Sequence, residues 1–203
     1  MNQLQLIIVI LVLIIVVLLY LILLLRKQTN LNNLVITGKY KEDVFNAMKE
    51  QSNLCSTDKN FYPICLGNLG IPRCFMPQFE DKNSLREFED TLKMYNIKSS
   101  IEEIDPIKLK GTQREIESEK VHNIVSKQEA DPNFFENMTN NLAPIMVSND
   151  NYIIDGHHRW SSMLVFNLKH KENKKLKIKK YDAPIRFLLK ISNSVPSIQF
   201  KDC

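Results

Sequence analysis

The chain has 203 residues, four cysteines and a formal net charge of +4. That length gives room for one ordinary domain and an appendage. The modest charge permits an anionic partner without demanding one, and the sequence has neither an internal repeat nor the aromatic-basic interleaving of single-strand nucleic-acid binders.

Residues 1–5 are a short flank, and 6–25 form an unbroken run of Leu, Ile and Val in which Tyr20 is the sole polar-tipped residue. The run is long enough to cross a bilayer core as a helix. With no basic segment before it and no small-residue cleavage site after it, it reads as a single-pass membrane anchor rather than a signal peptide. Arg26 and Lys27 follow at once, with Lys39 and Lys41 beyond; the positive-inside rule then places the C-terminal bulk in the cytosol. Residues 26–60 read as a juxtamembrane linker, with one short strand at 34–36 and a helix over 43–51 that puts Val44, Phe45 and Met48 on a face.

Cys55, Cys65, Cys74 and Cys203 match no metal-ligand spacing. They are reduced thiols if the domain is cytosolic, and can form two disulfides if it lies across the membrane; the charge flank favours thiols. Asn137-Met138-Thr139 is formally a glycosylation sequon, usable only in that second orientation, and is read as chance.

Residues 61–100 read as a helical extension. Ile71-Pro72-Arg73-Cys74-Phe75-Met76-Pro77-Gln78 is a proline-punctuated lead into a helix that starts at Asp81 or Ser84, buries Leu85, Phe88, Leu92 and Tyr95, and ends at Asn96-Ile97. A strand is predicted over 99–105. Thr112 reads as an N-cap with Glu115 completing a capping box, opening a helix through Ile116, Val121, Ile124 and Val125. Asp131-Pro132-Asn133 restarts the chain, and 134–141 is a link.

Pro144 to Val147 and Tyr152 to Ile154 are short β-prone runs around the turn formers Ser148, Asn149, Asp150 and Asn151. Asp155-Gly156 breaks the second run, and Trp160, Met163, Leu164 and Phe166 then recur at helical spacing. His157, His158 and Arg159 therefore sit at a helix N-terminus, where unpaired N–H groups and the helix dipole attract anions. Gly156 admits a close backbone approach, and Arg159 offers a planar fork suited to phosphate. The plainer alternative is that Asp155 caps the helix, the histidines are solvated, and Arg159 pairs with a carboxylate.

Tyr152-Ile153-Ile154-Asp155-Gly156-His157-His158-Arg159-Trp160-Ser161-Ser162-Met163 resembles the signature of the ParB/sulfiredoxin superfamily, in its ParB-like (nuclease-like) members with Asp-Gly-His-His-Arg. Thr112-Gln113-Arg114-Glu115 with Lys120-Val121 is similar to the first block of that domain, and Ile71-Pro72-Arg73 with Met76-Pro77-Gln78 looks like what precedes the core in some phage-associated and large-virus members. The resemblance implies an α+β domain, a small mixed sheet with flanking helices, over 101–191. It implies a nucleotide or phosphate site at Gln113, Arg114, Asp155, Gly156, His157, His158 and Arg159, with Glu115, His157 and His158 as catalytic candidates and Mg2+ accompanying a nucleotide. Sulfiredoxin chemistry is rejected, because His157 stands where its cysteine nucleophile would be. Chromosome partitioning is disfavoured, since no helix-turn-helix follows.

Residues 169–180 hold seven lysines, and Lys175-Leu176-Lys177-Ile178-Lys179 alternates like a solvated edge strand; nucleic acid or anionic lipid is its alternative partner. A terminal helix is predicted from Phe187, and 192–203 reads as a tail. The function expected is therefore a membrane-anchored domain binding a nucleotide or phosphorylated small molecule, with phosphoryl transfer or nucleotide hydrolysis as its chemistry. A non-catalytic membrane scaffold and a nucleic-acid-processing protein are the alternatives.

Overall fold

A computed structural model describes residues 5, 13, 15–22, 53–55, 64–79, 81–141 and 144–200, and the chain divides into two compact units, 1–42 and 43–203. In the first, Leu13 and residues 15–22 are helical and exposed. Among the described residues no helix is long and apolar enough to cross a membrane; most of the expected 6–25 span lies outside them, as do the expected strand at 34–36 and helix at 43–51.

The second unit is α+β. Its described elements are α1 (Lys82–Met94), β1 (Ser99–Ile104), α2 (Ser118–Ala130), α3 (Phe134–Asn141), β2 (Ile145–Ser148), β3 (Ile153–Asp155), α4 (His157–His170), β4 (Leu176–Tyr181) and α5 (Ile185–Ser192), with 3₁₀ turns at Arg73–Phe75 and Pro106–Lys108. The strands form one mixed sheet in the order β1-β4-β2-β3. β4 runs antiparallel to β1, with Ile101 opposite Lys179, and parallel to β2, with Ile145 opposite Ile178; β2 and β3 make the hairpin read from the sequence.

Helices cover both faces. Phe88 and Leu92 of α1 and Ile185, Leu188 and Ile191 of α5 pack with Met146, Ile154 and Tyr181 of the sheet in one buried cluster. Strand alternation turns Ile145, Ile153, Leu176 and Ile178, all buried, the other way. α4 lies against β2 there and carries buried Trp160, Met163 and Leu164, with α2 packed on it. Asp81 caps α1 by accepting the Ser84 N–H at 2.7 Å, and Asn96, in the left-handed region at φ 58°, follows its end. Tyr95 is 56% exposed instead of buried, standing edge-on to Phe187.

Several local expectations give way to tertiary pairing. β4 is an inner strand rather than an edge, because alternation reveals one apolar face but not which neighbours flank it; Lys179 pairs with Glu89, which also accepts from the Tyr181 hydroxyl at 3.1 Å. The edge is β1, with Glu102 and Glu103 exposed. Residues 134–141 form α3 instead of a link. In the expected tail, Val195 and Ile198 are buried, and Gln78 N–H donates to the Gln199 carbonyl at 2.9 Å.

The capping box at Thr112 does not form. Residues 112–117 bridge Ile71 on one side and Asn53 on the other, and Glu115 is drawn to the Arg73 N–H at 2.7 Å. α2 therefore begins only at Ser118.

Cys55 and Cys65 are joined in a disulfide, and Cys74 is disulfide-bonded too, where the charge flank had favoured thiols. The bond fastens 53–55 to the domain: Leu54 is fully buried and its N–H donates to the Ile116 carbonyl at 3.0 Å. Closing a loop of sequence separation 10 is worth about 3 kcal/mol through the unfolded chain. Cys55→Ser with Cys65→Ser is expected to lower the melting temperature by roughly 5–10 °C. A melt unchanged from wild type, followed by circular dichroism, would refute that role.

Candidate functional site

The site grows from the turn between β3 and α4. Gly156 occupies φ +100°, a conformation that L side chains rarely adopt, and a Cβ there would stand 2.9 Å from Ile145 Cγ1 and 3.0 Å from Arg159 Nη2. Gly156 is also the N-cap of α4 and supplies no side-chain cap. The N-cap residue of α4 therefore contributes no side-chain oxygen to the helix start.

The extended segment 112–117 lies across this helix start, held there by the two histidines. His157 is 4% exposed, and its Nε2 accepts the N–H groups of Thr112 and Gln113, each at 3.1 Å. His158 Nε2 accepts the Glu117 N–H at 3.1 Å. Accepting at Nε2 requires each ring to be neutral with its proton on Nδ1. Burial, helped by repulsion from Arg73, pushes the His157 imidazole down to about 3. His157 is thus a structural clamp, its Nε2 committed to the main chain.

Around the clamp is a charged cluster. Glu115 accepts Arg114 Nε and Nη2 at 2.9 and 2.7 Å on one oxygen and the Arg73 N–H on the other. Glu117 pairs with the Arg73 guanidinium and with Lys120 at 2.7 Å. Burial pushes the Glu117 carboxyl up, but Lys120, then Arg73, outweigh it and hold it below the usual carboxylate range.

No family description, curated protein or solved structure matches the chain.

Of the residues singled out in the sequence, Gln113, Glu115, Gly156, His157 and His158 converge at the start of α4. Arg114 lies on the same segment with its guanidinium exposed. Asp155 and Arg159 lie beside Gly156 but on another face of the helix start. Two positions along a helix is about 200° of rotation, so Arg159 faces away from His157 and pairs with Asp155 at 3.2 Å, the plainer of the sequence alternatives. Burial lowers the Arg159 guanidinium against the opposing pull of Asp155. It lines a cleft with Phe135, Met138, Met163 and Lys177 whose volume of about 10 Å³ holds roughly one water.

Sequence reasoning missed Arg73, Glu117 and Lys120. The available signal for Arg73 was the Ile71-Pro72-Arg73 stretch; Glu117 was hidden inside the helix expected from Thr112. As for a metal, among the described residues no three His, Cys, Asp or Glu side chains come together. Glu115 and Glu117 supply two carboxylates, which suits Mg2+ carried mainly by a ligand's phosphates better than a metal held by protein alone.

Proposed function

We propose that the chain is a membrane-anchored ParB/sulfiredoxin-like protein whose domain binds a nucleotide or other phosphorylated ligand at the start of α4. The observation that carries this reading is a glycine-started helix N-terminus beneath a segment bearing Arg114, Glu115 and Glu117, with Arg73 and Lys120 alongside. The helix dipole and the guanidinium groups together favour a phosphate there. The family reading rests on the Asp155-Gly156-His157-His158-Arg159 signature and on the Gln113-Arg114-Glu115 segment that packs over it.

Phosphoryl transfer or hydrolysis is the chemistry this arrangement serves best, since such reactions need positioning and charge neutralisation more than covalent catalysis. Mg2+, when it arrives with the ligand, would neutralise phosphate charge, with Glu115 and Glu117 the carboxylates placed to hold it. His158 and Glu115 are the candidates for moving a proton at the reacting centre.

The apolar run 6–25 supports a single-pass anchor. For the side of the membrane, Arg26 and Lys27 support the cytosol, whereas the Cys55–Cys65 disulfide supports the oxidising side.

A thermal-shift screen of the full chain in detergent against nucleoside di- and triphosphates, with and without Mg2+, tests the proposal. A ligand at about 100 times its dissociation constant adds roughly 2.7 kcal/mol, a rise of several degrees in a domain of this size. No rise with any nucleotide, in a domain that melts cooperatively, would support the second reading, a non-catalytic scaffold. That reading is favoured by one feature: both glutamates are already neutralised by the chain's own cations.

A further inference from the structure

We propose that Arg73, delivered by the segment preceding the sheet domain, is a ligand-contacting residue of this same site, and that a bound phosphate takes its guanidinium from Glu117. The proposal rests on the phosphorylated-ligand reading above.

Three arginines compete for the role. Arg159 is turned away toward Asp155. Arg114 is on the right segment, but its fork closes on Glu115 Oε1 through both Nε and Nη2. Arg73 differs in that its Nε is buried with no hydrogen-bond partner while Nη1 holds Glu117. A buried guanidinium N–H without an acceptor in the chain is uncommon, and it leaves Nε able to donate to a ligand oxygen.

The backbone around Arg73 is fixed more firmly than an ordinary surface arginine requires. Ile71 N–H donates to the Thr112 carbonyl at 3.0 Å, Arg114 N–H returns to the Ile71 carbonyl at 2.8 Å, and Arg73 N–H meets Glu115. The main chain at Arg73 is thereby locked to the segment that His157 and His158 clamp. Its side chain stays 23% exposed, so the head group can be reached from solvent. A second buried polar atom without a partner, Thr112 Oγ1, lies in the same clamped segment.

Glu117 therefore occupies the place of the anion. It sits among Arg73, Lys120 and His158, and is the carboxylate a phosphate must displace from Arg73. This sets a direction that a merely structural ion pair would not produce: removing the Glu117 charge should tighten phosphate binding.

The test is calorimetric titration of inorganic pyrophosphate, in the absence of Mg2+, into the full chain in detergent. Wild type, Arg73→Ala, Arg73→Lys and Glu117→Gln are compared, with each variant's melt recorded. Arg73→Ala is expected to weaken binding at least tenfold, Arg73→Lys to recover part of it, and Glu117→Gln to strengthen it several-fold. Unchanged binding in a cooperatively melting Arg73→Ala overturns the proposal and leaves the site intact. If Arg73→Ala does not fold, Glu117→Gln decides: weaker binding there makes the pair structural and ends the proposal. Wild type that binds neither pyrophosphate nor any nucleotide brings down the site itself, a failure distinct from that of Arg73 alone.

Discussion

Replacing His157 with alanine will destabilise the domain by about 3–6 kcal/mol, measured as a lower urea midpoint. The Thr112 and Gln113 N–H groups both end on its Nε2 in a buried setting. Each buried donor left unmade costs about 1–3 kcal/mol, and loss of the ring leaves a cavity besides. Against a typical domain stability of about 5–15 kcal/mol, that is enough to threaten folding.

The same residue makes stability depend on pH. The native imidazole is depressed to about 3, whereas in the unfolded chain it titrates near 6.5. A depressed native value means the unfolded state takes up the proton first, so this contribution is complete above about pH 6.5 and declines as pH falls below it. By pH 5 the loss is about 2 kcal/mol. Urea denaturation at pH 7.5 and pH 5 measures it, and His157→Gln should flatten the difference. Equal wild-type stability at both values would show that the clamp is not neutral histidine.

Gly156→Ala is the second large effect, at about 2–4 kcal/mol. The left-handed backbone strains any L side chain by about 1–3 kcal/mol, and the new methyl meets Ile145 Cγ1 at 2.9 Å. Ile145 is 3% exposed and paired within the sheet, so it has little freedom to withdraw. Gly70→Ala provides the comparison: φ is +67° there, but nothing lies within 4 Å of the new Cβ, so only the backbone strain remains. Melting temperatures that fall equally in the two variants would show that the contact with Ile145 carries no weight.

What was legible in the sequence followed from local signals. Asp81 announced α1, the turn formers at 148–151 announced the β2–β3 hairpin, and Gly156 with the apolar spacing from Trp160 announced α4; each is specified within a dozen residues of chain. The segment 112–117 shows the limit. Its capping-box pattern is a real local preference, but Ile71, Asn53 and the two histidines bond its main chain from outside, and those partners lie far away in sequence. The charged cluster was half visible for the same reason. Glu115 and the histidines belong to recognisable motifs, whereas Arg73 reaches them only because 71–73 docks alongside 112–114. The inner place of β4 was hidden too, since a lysine-rich alternating strand looks the same whether or not both its edges are paired.

The order of the sheet also governs when the domain can come into being during synthesis. Among the described residues β1 pairs with β4, where Ile101 awaits Lys179, and Gln78 awaits Gln199. Such distant pairings form late, after loop closure has been met. Until the ribosome has made 185–198, Phe88, Leu92, Met146 and Ile154 lack Ile185, Leu188, Val195 and Ile198, the residues that cover them. The nascent chain is thus exposed to chaperones and to aggregation until 185–198 have emerged, and a truncation that removed that segment would leave the core open.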